Sequence, residues 1–131
     1  MRMVNMIKVL LIAFLGFAPL AHASKALPVM GQPMHAEMTF DNAKKVFIQA
    51  GAKRGWVVKS AEEAGKLIAD IWVRSHYVSV FITVHKDSYD ITYRDSENMK
   101  YQPDGTIHRK YNGWVKNFNG DIQKQMLMAS Q

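Results

Sequence analysis

Residues 66–94 read KLIADIWVRSHYVSVFITVHKDSYDITYR, and the alternation in this stretch decides the fold. Leu67, Ala69, Ile71 and Val73 alternate with Lys66, Ile68, Asp70, Trp72 and Arg74. After Ser75-His76, the residues Val78, Val80, Ile82 and Val84 alternate with Tyr77, Ser79, Phe81 and Thr83. After Lys86-Asp87, the residues Tyr89, Ile91 and Tyr93 alternate with Asp90, Thr92 and Arg94. A period of two, interrupted twice by short polar turns, predicts a three-strand antiparallel meander. A two-residue loop at Ser75-His76 would pair Val73 with Val78 and Ile71 with Val80. One at Lys86-Asp87 would pair Val84 with Tyr89 and Ile82 with Ile91. Both loops put the aliphatic residues on one common face, so loop length and side-chain parity agree.

Outward from the meander the period changes. Trp56–Ser60 reads as a preceding strand, joined to the meander by a turn at Ala61–Gly65. Before it, Thr39 is a good N-cap, Asp41 suits the positive end of a helix dipole, and Ala43, Val46, Phe47 and Ala50 form an apolar helical stripe. Gly51 would weaken the last turns, and Gly55 is a natural stop. After the meander, Asp95–Gly105 is polar and loop-like. A second helix is expected from about Ile107, with Tyr111, Trp114, Val115, Phe118, Ile122, either Gln125 or Met126, and Ala129 in phase and a weak point at Asn119-Gly120. The order α-β-β-β-β-α predicts an α+β fold: a two-layer sandwich whose four-stranded, mainly antiparallel sheet is covered on one face by two helices.

The N-terminus carries a different signal. Arg2 and Lys8 precede an apolar run, Val9–Leu20, and Ala21-His22-Ala23 places small residues where a cleavage after Ala23 needs them. A spanning helix needs about 20 apolar residues. This run is shorter and ends near Pro19, so a signal peptide at 1–23 fits better than a retained anchor. The processed chain, 24–131, would then not be a transmembrane protein. Segment 24–38, with Pro28, Gly31 and Pro33, reads as a linker with room for a short edge strand near Leu27–Met30, and 39–131 as a single domain. The chain contains no cysteine, which rules out disulfides and a lipid-anchoring cysteine. Its formal charge of +6 falls to +4 once Arg2 and Lys8 are removed. That mild basicity, with no dense Lys/Arg run, gives no nucleic-acid signal. The expected location is the periplasm.

Several segments carry a resemblance. Val80–Val84, then Ser88-Tyr89-Asp90-Ile91-Thr92-Tyr93-Arg94-Asp95-Ser96-Glu97-Asn98-Met99-Lys100-Tyr101, then Ile107-His108-Arg109-Lys110-Tyr111-Asn112-Gly113-Trp114-Val115 resembles a family of small uncharacterised Gram-negative periplasmic proteins and lipoproteins. Their pattern is Y-x-I-x-Y-x-D-S-x-N-[LM]-x-Y followed by I-H-x-x-Y-N-x-W-[VI], and Arg54-Gly55-Trp56 also fits. The likeness spans roughly residues 39–128. This chain lacks the lipobox cysteine common in that family. The resemblance implies the compartment and brings no activity or catalytic residues.

Three groups of side chains are candidates for function. On the sheet face opposite the aliphatic one stand Trp72, Tyr77 and Phe81, beside Arg74, Arg94, Lys66 and Asp70. Trp, Tyr and Arg are typical contact anchors, although cover by segment 24–38 or an inverted parity would remove this surface. The polar stretch after the meander and the start of the following helix hold Asp95, Ser96, Asn98, Tyr101, His108, Tyr111 and Asn112. Ser96, His108 and Asp95 could be read as nucleophile, base and orienting group of a hydrolase, but no G-x-S-x-G element is present, and a loop-to-helix lock accounts for the same residues. Met30, Met34, His35 and Met38 form a thioether and imidazole set suited to Cu(I). His76 and His85 sit at strand turns without zinc-ligand spacing and are expected to be solvated. The expected function is a non-enzymatic binding or envelope-interaction module using the outer sheet face and the Asp95–Tyr101 segment. It implies no cofactor, and its partner would be an envelope protein, a glycan or the membrane surface. A copper-binding protein and a small serine hydrolase are the alternatives.

Overall fold

The structure is a computed structural model and describes residues 23–35 and 38–129. The expected signal segment lies outside the described residues except for Ala23. The elements run β1 (Ala23–Lys25), β2 (Val29–Pro33), α1 (Phe40–Ala52), β3 (Val57–Ser60), β4 (Lys66–Val73), β5 (His76–Val84), β6 (Ser88–Glu97), β7 (Thr106–His108) and α2 (Lys110–Ala129). Over the described residues the fold is α+β, with two helices and antiparallel strand pairing.

The sheet is larger than the four strands expected. Five strands pair in the order β2-β6-β5-β4-β3, and β1 pairs with β7 in a separate two-stranded sheet. Most of β1 and all of β2 come from the segment read as a linker, where a short edge strand near Leu27–Met30 was expected, and β7 comes from the expected start of the second helix. Pro28, Gly31 and Pro33 do exclude a helix, but they leave room for an edge strand with an irregular register between Val29 and Gln32. Ile107 lies in β7 opposite Ser24, so the second helix starts later than its apolar stripe implied. Asn119-Gly120 does not interrupt that helix.

The inner sheet face is the aliphatic one. Leu67, Ala69, Ile71, Val78, Val80, Ile82, Tyr89 and Ile91 are buried in one core with Ala43, Val46, Phe47 and Ala50 of α1 and Tyr111, Val115, Phe118, Ile122 and Met126 of α2. Thr39 caps α1, its hydroxyl accepting the Asn42 amide at 3.1 Å. Trp56, at the entry to β3, stacks on Phe118 with ring centroids 4.7 Å apart. Gly51 is where α1 meets this corner: a Cβ there would lie 2.9 Å from the Trp56 carbonyl oxygen, so glycine is required by contact and its low helix propensity is outweighed.

The second hairpin has the expected register, Val84 opposite Tyr89 and Ile82 opposite Ile91. In the first, Ile71 opposes Val78 and Val73 opposes His76, so the turn is Arg74-Ser75. The slip from the expected pairing is two residues, which preserves every side chain's face. Arg74 takes the left-handed conformation that this tight turn demands (φ 57°). In β6, Val80 opposes Tyr93 but Ser79 opposes Asp95. Arg94 is the extra residue of a bulge, which turns Ser96 toward the face of Val78.

Candidate functional site

The outer sheet face is built from the positions that alternate with the core. Trp72 is 59% exposed there. Its ring lies 4.9 Å from that of Tyr77, directly opposite it on β5. The Tyr77 hydroxyl donates to Asp70 at 3.0 Å, and Asp70 is also paired with Lys59 at 3.4 Å. The aromatic pair is therefore anchored through the Tyr77 hydroxyl to a charged neighbour on the same face, while Trp72 meets solvent. Arg74 stands exposed at the adjoining turn.

Further along the same face, Phe81 lies under two cations. The Lys66 ammonium is 5.1 Å from the ring centroid and the Arg94 guanidinium carbon 5.8 Å. Arg94 Nη1 donates to the Ser79 hydroxyl at 3.2 Å, and Ser79 is fully buried although it belongs to the outer face. Lys66 is paired with Glu63 at 2.8 Å. Beside them opens a hollow of about 430 Å³ lined by Ser60, Ala61, Glu62, Glu63, Lys66, Ile68, Phe81 and Arg94. Strand parity indicated Lys66, Phe81 and Arg94. Glu62 and Glu63 were not foreseen, because a turn residue has no period to follow.

The polar cluster lies at the other end of β6 and is bonded internally. Asp95, Ser96 and Glu97 are strand residues, so the loop begins at Asn98. The Ser96 hydroxyl pairs with Tyr93 at 2.8 Å, and its amide donates to Asp95 at 2.8 Å. Tyr101 stacks on Tyr93 at 4.0 Å, and Tyr111 meets Tyr93 edge-on. Asn98, in the left-handed region, donates to Ser75 at 2.9 Å, while its carbonyl accepts the His76 Nδ1 proton at 2.7 Å. His108 Nδ1 accepts the Lys110 amide at 3.1 Å and so satisfies one of the orphan donors at the start of α2. Among the described residues, Ser96 and His108 are thus each bonded elsewhere and not to one another. The His76 ring lies 5.8 Å from His108 and 6.4 Å from Trp114, and His85 is paired with Asp90 at 2.8 Å, so neither histidine is simply solvated.

Titration follows from these surroundings. Partial burial holds the His108 imidazole below its usual value, with His76, Lys110, Lys100 and Arg109 adding repulsion. Burial pushes the phenols of Tyr93 and Tyr111 up, and that of Tyr89 up to about 12. The Gly31 amide, and then His85, holds Asp90 below the carboxylate range. Because the folded value of His108 lies below its unfolded 6.5, its contribution to stability is complete above pH 6.5 and is lost as pH falls from there. Protonated Nδ1 can no longer accept the Lys110 amide. The His108→Gln variant is therefore expected to lose less melting temperature than the parent between pH 7.5 and 5.5. An equal loss in both proteins would refute this role.

The methionine and histidine set is spread over different environments. Met30 is exposed in the irregular part of β2, Met34 is buried in the core, and Met38 packs partly against it near Phe40. His35 is half-buried. Among the described residues, no three His, Asp or Glu side chains are grouped to hold a metal ion. None of their helices is long and apolar enough to cross a membrane.

Two asparagines and a glutamine have a role that the sequence did not reveal. Asn112 of α2 accepts the Leu27 amide at 3.0 Å and donates to the Lys25 carbonyl at 2.7 Å. Asn119 donates to Gln32 at 2.9 Å and accepts the Tyr89 hydroxyl. Gln123 donates to Tyr89 and to the Pro33 carbonyl, at 2.7 and 3.2 Å. One polar side of α2 therefore fastens both N-terminal strands to the domain. Comparison of the chain with protein-family models, with curated proteins and with solved structures finds no match.

Proposed function

We propose that this chain is an exported, non-enzymatic binding module that works in the periplasm through its outer sheet face. The carrying observation is Trp72: a large aromatic, 59% exposed on an interior strand, its ring against Tyr77, whose hydroxyl is held by the Lys59-paired Asp70. Rigid aromatics lose little entropy on binding, and fixed Arg and Trp side chains are the usual anchors of an interface. Neither N-terminal strand pairs over this face: β2 lies at the sheet edge beside β6, and β1 pairs with β7. The signal-like N-terminus and the resemblance to periplasmic proteins support the compartment, and the partner is a component of the cell envelope. Capture of a saturable component from envelope extract should fall about tenfold with Trp72→Ala, equivalent to about 1.4 kcal/mol. The melting temperature should stay within a few degrees of the parent. Undiminished capture by a Trp72→Ala, Phe81→Ala double variant would sink the proposal.

A further inference from the structure

The hollow beside Phe81 has a charge pattern that specifies a ligand. Four charged side chains line it: Glu62, Glu63, Lys66 and Arg94. Glu63 and Lys66 neutralise each other at 2.8 Å. Among the described residues, Arg94 has no carboxylate partner, its guanidinium being engaged only by the Ser79 hydroxyl and the Phe81 ring. Glu62 has no cationic partner either. One cation and one anion thus share the wall of a single hollow without reaching each other, and Phe81 and Ile68 provide apolar surface in the same lining.

The complement of such a site is a molecule with an apolar body, a carboxylate and an ammonium group. Arg94 is prepared for the carboxylate. Its plane is steadied on Phe81, one nitrogen is tied to a buried hydroxyl, and its remaining N–H groups can form the two-pronged bond that guanidinium makes with carboxylate. Glu62 supplies the charge that an ammonium needs. An uncharged apolar ligand would leave both groups unmatched, and a purely anionic one would meet Glu62 with repulsion. A volume of about 430 Å³ falls within the range of small-molecule sites and exceeds the size of a single amino acid.

We propose that this hollow binds a short zwitterionic peptide with apolar side chains, its C-terminal carboxylate on Arg94 and its N-terminal ammonium on Glu62. The assignment deepens, and rests on, the reading of the outer face as a binding surface. Trp72 does not line the hollow, so the two can fail separately.

The test is isothermal titration of the full-length protein with leucyl-leucine, its N-acetyl form and its C-terminal amide. The free dipeptide is expected to saturate, and each cap to weaken binding about two- to fivefold, the range of a solvent-accessible ion pair. In Arg94→Gln the amidation penalty should disappear while the acetylation penalty remains, and in Glu62→Gln the reverse. Glu62 is exposed, so the melting curve of Glu62→Gln should match the parent, whereas Arg94→Gln removes the partner of the buried Ser79 hydroxyl and should melt somewhat lower; titrating the unmodified protein with the capped peptides tests the site without either variant. Failure of leucyl-leucine to saturate at millimolar concentration, or equal binding of all three peptides, overturns the assignment. If either result coexists with Trp72-dependent envelope capture, only the peptide ligand is lost. Peptide binding without any Trp72-dependent capture would sink the wider partner surface and leave this site standing.

Discussion

Trp56→Ala is expected to cost about 3–5 kcal/mol of unfolding free energy, the range for removing a buried Trp. Trp56 is 3% exposed and ties three elements together. Its ring stacks on Phe118 of α2 at an interplanar angle of 13°, its amide donates to the Gly51 carbonyl at the end of α1, and its chain leads directly into β3. Truncation leaves a cavity that Gly51 cannot fill and strips one face from Phe118. For a domain of this size, each kcal/mol moves the melting temperature by about 4–8 °C, so the variant should melt well below the parent. Urea denaturation would measure the loss. Trp56→Phe, which keeps a ring against Phe118, should retain about half of it. A loss below about 1.5 kcal/mol for Trp56→Ala would mean that this corner collapses around the gap, contrary to the close packing described.

Removal of residues 1–33 is expected to cost about 3 kcal/mol or more, judged from the hydrogen bonds lost at about 0.5–1.5 kcal/mol each. The deletion takes away β1 and β2, the Gly31 amide bond to Asp90, and every partner that Asn112 has on that segment. It also removes the Gln32 and Pro33 acceptors of Asn119 and Gln123, and uncovers Ile107 and Ile91, which those strands flank. Removal of residues 1–23 alone, the product of the proposed processing, takes only Ala23 from β1, keeps β2 with its bonds, and should leave a product clearly more stable than the one lacking residues 1–33. Urea midpoints of the two products, compared with the full chain, check both statements. Equal stability of the two truncated forms would reduce the N-terminal strands to a dangling tail.

The parity of β4, β5 and β6 was legible because a half-buried strand writes its two faces into alternate residues. Leu67, Val80 and Ile82 are buried and Trp72 is exposed, as the alternation predicted. The α1 stripe and its Thr39 cap were legible for the same reason at a different period. β1 and β7 were not, and of β2 only a short edge strand near Leu27–Met30 was expected. They are three to five residues long, and their stability lies in pairing with distant segments and in bonds from Asn112, Asn119 and Gln123, so little local announces them. The first turn was misplaced by one residue because Arg74 accepts a left-handed backbone that a sequence reader grants to glycine or asparagine. Of the candidate site, the aromatic row followed from parity, whereas Glu62 joins it only through the path of a turn. The Asp95–His108 residues were recognised as polar neighbours, but the bulge at Arg94, which decides where Ser96 points, has no marker in composition.

The sheet order gives the chain an awkward chronology. β2 precedes its neighbour β6 by roughly sixty residues, and β1 precedes its partner β7 by more. During emergence each is a strand without a sheet, and the long loop it must close slows completion. Pairing of β1 and β2 has to wait until β6, β7 and the Asn112, Asn119 and Gln123 side chains of α2 are available.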